Sequence, residues 1–263
     1  MPSSIRAFTD DSTDPRVRGF LHTPETSNSK ALVLTHGAGS NAQAPLLIAV
    51  ADAFCAAGFT VLRCDLPYRQ SRPYGPPGPG DAARDRAGLK NAIAAVKRLS
   101  GAPSLSRRPL AGQGGDSDLH TTTAAADFPQ RRGQSSRDSI YLGGHSYGGR
   151  QSSILCAEQR AEEPDLVAGL LLLSYPLHPP RKPEQQRTQH LPDLRTPTLF
   201  VQGTRDPFGT IAELEQAMKM IPGKTKLLVV EGGGHDLGFK GKARREELPR
   251  EILSEFDRFF RIQ

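Results

Sequence analysis

Short runs rich in apolar and β-branched residues recur along this chain, alternating with segments of helical spacing, and that alternation limits the fold more than any other feature. The runs lie at 17–22, 31–36, 59–64, 139–142, 168–174, 197–203 and 225–231. The run at 31–36 and the leucine-rich run at 168–174 are apolar at nearly every position, as expected of strands covered on both faces. Between them, Leu47, Val50 and Phe54 mark a helical face that Gly58 stops. Leu89, Ile93 and Val96 mark another, and Ile211, Leu214, Met218 and Ile221 a third, stopped by Pro222-Gly223. Leu248, Ile252, Phe256 and Phe259 form a last stripe, with Pro249 near its start; aromatics at that spacing are core packing. Strands alternating with helices predict an α/β fold of three layers, a mostly parallel central sheet with helices on both faces. A length of 263 residues suits one such domain, spanning 1–263.

Two stretches break the alternation. Residues 65–80 are rich in proline and glycine and read as a loop. Residues 101–138 carry few bulky apolar side chains among Gly, Ser, Thr, Ala, Pro and Arg. Such a composition buries too little surface to offset the entropy of ordering, so it reads as a disordered or loosely held polar insertion, with a lid as the alternative. Ser40 or Asn41 is expected to cap the first helix, with Pro45 in its first turn.

The formal charge of +6 is spread over isolated residues and pairs such as Arg107-Arg108, Arg131-Arg132 and Arg244-Arg245. That describes a solvated basic surface, and no nucleic-acid partner is expected. The three cysteines, Cys55, Cys64 and Cys156, sit in apolar settings without metal-type spacing, which argues for buried thiols in a reducing compartment. The first residues hold no apolar leader, and no run approaches transmembrane length. A cytoplasmic protein with no membrane partner is the expectation; oligomeric state is not readable.

In open α/β sheets, ligands bind beyond the carboxyl ends of the strands. That rule selects three side chains. Ser146 follows the strand at 139–142 in Gly144-x-Ser146-x-Gly148, and a helix can follow it, the context of a nucleophile elbow. Asp206 follows Gln202-Gly203-Thr204-Arg205, and His235 follows Glu231-Gly232-Gly233-Gly234. A serine hydroxyl is a weak nucleophile that needs a neighbouring base, and that base needs an orienting acid. Asp193 and Asp236 are the other acids worth testing.

The motifs Thr35-His36-Gly37-Ala38-Gly39, Asp65-Leu66-Pro67-Tyr68-Arg69, Gly144-His145-Ser146-Tyr147-Gly148-Gly149-Arg150, Gly203-Thr204-Arg205-Asp206 and Gly234-His235 together resemble the α/β-hydrolase superfamily. Within it, the chain is similar to the small dienelactone-hydrolase-like group, particularly a branch related to a vertebrate testis-expressed hydrolase-like protein. The resemblance implies the three-layer hydrolase fold and a Ser146, Asp206, His235 triad in family order. It also implies an oxyanion hole from the backbone N–H groups of Tyr147 and Ala38, with Gly37 and Gly39 as neighbours. His36 is expected to shape that loop and His145 to pack beneath the site. Dienelactone hydrolases carry cysteine at the elbow where this chain has Ser146, so their substrate is not carried across. Many relatives insert a lid between positions corresponding to 174 and 197; here that segment is short, so no large cap is expected.

The loop at 65–80 is expected to border the pocket, with Tyr68 and Arg69, and beyond them Arg72 and Tyr74, as substrate contacts; solvated loop arginines are the alternative. The reading that follows is a serine hydrolase cleaving a carboxylic ester or thioester through an acyl-enzyme intermediate, on a small-molecule substrate. The triad requires no metal or organic cofactor. A peptide or amide hydrolase, and a non-catalytic binding or scaffold module on the same fold, are the alternatives, and three reactive groups at one mouth favour the enzyme.

Overall fold

The computed structural model of the protein describes residues 3–101, 139–159, 162–163 and 166–261. The insertion expected at 101–138 therefore lies, from residue 102 onward, outside the described residues. In chain order the elements are β1 (Ser4–Asp10), β2 (Val17–Thr23), β3 (Lys30–Thr35), α1 (Pro45–Ala56), β4 (Thr60–Cys64), α2 (Pro67–Ser71), α3 (Asp81–Gly101) and β5 (Ser139–His145). They continue with α4 (Tyr147–Glu158), β6 (Gly169–Leu173), β7 (Thr198–Gly203), α5 (Ile211–Met218), β8 (Thr225–Val230) and α6 (Lys242–Arg261).

The eight strands form one sheet in the order β1-β2-β4-β3-β5-β6-β7-β8. All neighbours from β4 to β8 run parallel; β2 pairs antiparallel with both β1 and β4. The apolar runs are explained by helices on both faces. In β3, Ala31 and Val33 face a core layer with Leu89 and Ile93 of α3, Leu155 of α4 and Leu214 of α5. The alternating Leu32 and Leu34 face Leu47, Val50 and Phe54 of α1 and Ile252 and Phe256 of α6. Strand β6 divides its leucines in the same way, 170 and 172 to one layer, 171 and 173 to the other. This is a three-layer α/β-hydrolase fold. Among the described residues, the segment between β6 and β7 holds only one turn of 3-10 helix, Leu191–Asp193, and no large cap.

One strand was missed and three expectations are corrected. Strand β1 was not anticipated: it is an edge strand with Phe8 as its one buried side chain, so it carries no apolar signal. The capping residue of α1 is Ala44, with Pro45 as the first helical residue and no side-chain cap; Ser40 and Asn41 instead close turns before it. The stretch at 65–80 contains the short helix α2, begun by Pro67 and too brief for any periodicity. On α6, Phe260 completes the buried stripe after Phe256, while Phe259 is only partly buried.

The sheet order places the site. From β3 the chain moves outward to β4, then crosses back so that β5 pairs with the other side of β3. Loops leaving the ends of β3 and β5 therefore diverge to opposite faces, opening a crevice between Thr35 and Gly144, which are paired at the strand ends.

Candidate active site

Ser146 stands between β5 and α4 with φ 52° and ψ −118°, a conformation rare for any residue but glycine. The turn is held because the Ser146 N–H donates to the Leu173 carbonyl at 2.8 Å and α4 packs hard against the strand ends. A Cβ on Gly148 would sit 2.5 Å from the His36 carbonyl oxygen and 2.6 Å from Thr35 Cγ2, so only glycine allows that approach. The first turn of α4 consequently points its free N–H groups at the crevice.

The other two groups arrive from the ends of β7 and β8. A Cβ on Gly203 would lie 2.2 Å from the Gly233 carbonyl oxygen, so this glycine lets the two strand-end loops touch. The Arg205 N–H then donates to that carbonyl at 2.8 Å. In the result, the Ser146 hydroxyl donates to His235 Nε2 at 2.8 Å, and His235 Nδ1–H donates to Asp206 at 2.9 and 3.1 Å. The Asp206 carboxylate is fully buried, with Oδ1 also accepting from the Phe208 N–H at 2.9 Å. The Phe208 ring lies against the imidazole of His235, with centroids 4.1 Å apart. His145 Nε2–H donates to the His235 carbonyl at 2.7 Å, and burial pushes the His145 pKa down to about 4, keeping it neutral. Asp236 accepts instead from the Gly238 N–H, and Asp193 lies in the 3-10 turn.

The loop after β3 is pinned from behind. The Leu66 N–H donates to His36 Nε2 at 3.1 Å, which leaves the proton on Nδ1, and Nδ1–H donates to the Gly37 carbonyl at 2.9 Å. Burial lowers the His36 pKa and so favours this neutral form. The same carbonyl also accepts from the Ser40 N–H at 3.0 Å, and the Tyr68 hydroxyl oxygen lies 3.3 Å from it. In a trans peptide the C=O and the next N–H point oppositely, so anchoring the Gly37 carbonyl turns the Ala38 N–H the other way. Among the described residues, neither the Ala38 nor the Tyr147 N–H donates to any protein group. Asp85 links the two sides: fully buried, it accepts from the Tyr68 N–H at 3.1 Å and from the Tyr147 hydroxyl at 2.8 Å.

A cavity of about 530 Å³ opens over Ser146 and His235, lined also by Gly37, Ala38, Gly39 and Tyr147. Tyr68 and Arg69 do not line it, which corrects their expected role. Both are buried, because α2 turns them inward beneath the β3 loop. The Tyr68 hydroxyl donates to the Ala38 carbonyl at 2.7 Å. Arg69 donates to the carbonyls of Ser40 at 2.7 Å, Gly75 at 2.8 Å, Ala38 at 3.1 Å and Arg72 at 3.2 Å. Arg72 is engaged with Asp81, and Tyr74 is exposed. The loop at 65–80 does border the cavity, but through Pro76 and Pro77. Residues not anticipated at the mouth are Phe208, Pro176, Arg150 and Arg187. A signal for Arg150 was present, since it follows Ser146 by one helical turn; nothing in the sequence marks Arg187.

The arrangement is a hydroxyl, an imidazole and a buried carboxylate in series, beside two unpaired backbone donors. Residues 117–259, which hold all three of those side chains, match the family described as alpha/beta hydrolase domain. Solved structures share the fold at low identity. A dienelactone hydrolase from Anabaena variabilis matches with 17% identity and a TM-score of 0.65, covering 98% of this chain and 99% of its own. Est1E from Butyrivibrio proteoclasticus matches with 16% identity and a TM-score of 0.61, covering 98% and 99%. A Xanthomonas campestris protein described as an α/β serine hydrolase without a lid matches with 13% identity and a TM-score of 0.60, covering 98% and 96%. With more than half of its length matched by that family, this chain belongs to the alpha/beta hydrolases.

Proposed function

We propose that the protein is a serine hydrolase that cleaves a small carboxylic ester or thioester through an acyl-enzyme intermediate on Ser146. The observation that carries this reading is the continuous hydrogen-bonded series from Ser146 through His235 to buried Asp206. His235 Nε2 takes the hydroxyl proton as Oγ attacks the carbonyl carbon, and returns it to the departing alcohol or thiol. Water, deprotonated by the same nitrogen, then attacks the acyl-enzyme and releases the acid. Asp206 holds the ring with Nδ1–H toward itself and stabilises the imidazolium formed in each half-reaction.

The tetrahedral intermediate places negative charge on the former carbonyl oxygen. Its donors are the Ala38 and Tyr147 N–H groups, supported by the N-terminal end of α4. Losing one such donor typically costs about 3 kcal/mol of transition-state stabilisation. Within the superfamily, we further propose kinship to the vertebrate testis-expressed branch, on the motifs at 35–39, 65–69, 144–150, 203–206 and 234–235.

A fluorophosphonate probe and p-nitrophenyl esters of increasing chain length test the proposal. The expected result is a covalent adduct on Ser146 and turnover of short esters, both lost in Ser146→Ala. A folded wild-type protein that neither labels nor turns over any ester would overturn it in favour of a binding module.

A further inference from the structure

Among the described residues, the buried and half-buried arginines fall into two groups. Those away from the cavity are satisfied. Arg69 donates to four carbonyls; Arg63 donates to His22 and to the Ala42 carbonyl; Arg86 donates to Glu158 and Gln151. The two that line the cavity beside Ser146 are not. Among the described residues, neither the Arg150 nor the Arg187 guanidinium donates a hydrogen bond or meets a carboxylate, and Arg150 Nε is buried without any partner.

Among the described residues, no carboxylate neutralises them. The groups facing them are the Tyr175 hydroxyl and His190, and His190 is held neutral with its pKa pushed down to about 4, by burial first and by Arg150 and Arg86 second. Burial, and then the like charge of Arg150, also lower the Arg187 pKa. Two neighbouring, partly desolvated cations with no counter-ion among the described residues carry an electrostatic penalty that a bound anion relieves. Pro76, Pro77, Pro176 and Phe208 give the same cavity an apolar stretch of wall.

We infer that Arg150 and Arg187 form an anion clamp, and that the substrate is an ester or thioester carrying a separate free carboxylate. This deepens the serine-hydrolase reading and rests on it. Two planar guanidinium forks can supply a donor to each lone-pair site of one carboxylate. The apolar wall takes the carbon chain between that carboxylate and the carbonyl over Ser146.

The test compares matched substrates by kcat/KM. On the acyl side, the p-nitrophenyl monoester of adipic acid is set against p-nitrophenyl hexanoate. On the leaving-group side, para-acetoxybenzoate is set against para-acetoxybenzamide. In one of the pairs the anionic member is preferred by about tenfold or more, as charge-assisted hydrogen bonds imply. That ratio falls to about one in the Arg150→Gln/Arg187→Gln variant, checked for folding by circular dichroism, while Arg187→Lys keeps part of it. Calorimetry provides a readout that needs no turnover: Ser146→Ala protein binds adipate, and adding Arg187→Gln abolishes binding. Turnover of neutral esters with no anionic preference in either pair, and no adipate binding, overturns the clamp and leaves the hydrolase standing. Adipate binding that depends on Arg187, in a protein that cleaves no ester, supports the clamp and overturns the hydrolase.

Discussion

Ser146 is held by its backbone in a conformation that only dense packing around it can maintain, and its hydroxyl meets His235 at 2.8 Å. The weight of the site then falls on Asp206, which accepts from both His235 Nδ1 and the Phe208 N–H. Asp206→Asn keeps the shape but offers an amide where the imidazole needs a carboxylate. It should lower kcat by about ten-thousandfold with little change in KM, measured by steady-state ester hydrolysis. A second prediction concerns two partly buried imidazoles. His145 and His190 have folded pKa values pushed down from 6.5 to about 4, chiefly by burial. Between those values the unfolded chain binds protons that the folded protein refuses, so stability falls as pH drops from about 6.5 toward 4. Above 6.5 both states hold these rings neutral and the effect vanishes. The urea midpoint should therefore decline across that window, and His190→Gln should flatten the decline. Ser146, Asp206 and His235 were legible as candidates because each follows a strand end in a glycine-marked turn. Tyr68 and Arg69 were misread because a loop residue's side-chain direction depends on what packs behind it, here the carbonyls of Gly37, Ala38 and Ser40.

Strand ends, and the close approaches that glycine allows there, bring the groups together. Gly148 lets α4 lie against the end of β3, and a methyl group there would overlap the His36 carbonyl and Thr35. Gly148→Ala should destabilise the protein by about 1–3 kcal/mol, read from urea unfolding, and should lower kcat by tilting the first turn of α4. Helix α2 holds the β3 loop from below through Tyr68 and Arg69, and Asp85 of α3 joins it to Tyr147 of α4. This scaffold of three helices was invisible as a scaffold. A helix as short as Pro67–Ser71 shows no periodicity, and β1 escaped notice because an edge strand with one buried residue shows no alternation.

At the level of the molecule, the first and last helices share one core layer. Phe54 of α1 meets Phe256 of α6 with ring centroids 4.9 Å apart, and Phe59 meets the same ring at 5.8 Å. We propose that the whole of 1–263 is one domain, since neither end of the sheet can lose its covering helix alone. It should unfold in urea in a single transition, coincident by far-UV circular dichroism and by tyrosine fluorescence, the chain having no tryptophan. Two separated transitions would refute that. By itself the sequence determined the layered α/β architecture, the absence of a large cap between β6 and β7, and the strand ends that bear Ser146, Asp206 and His235. Those properties are local: a strand covered on both faces must be apolar throughout, and a sharp strand-to-helix turn must be flanked by small residues. Only the tertiary structure decided which side chains line the mouth. It turned Tyr68 and Arg69 beneath the β3 loop and set Arg150 beside Arg187, because side-chain direction is fixed by packing between segments far apart in the chain.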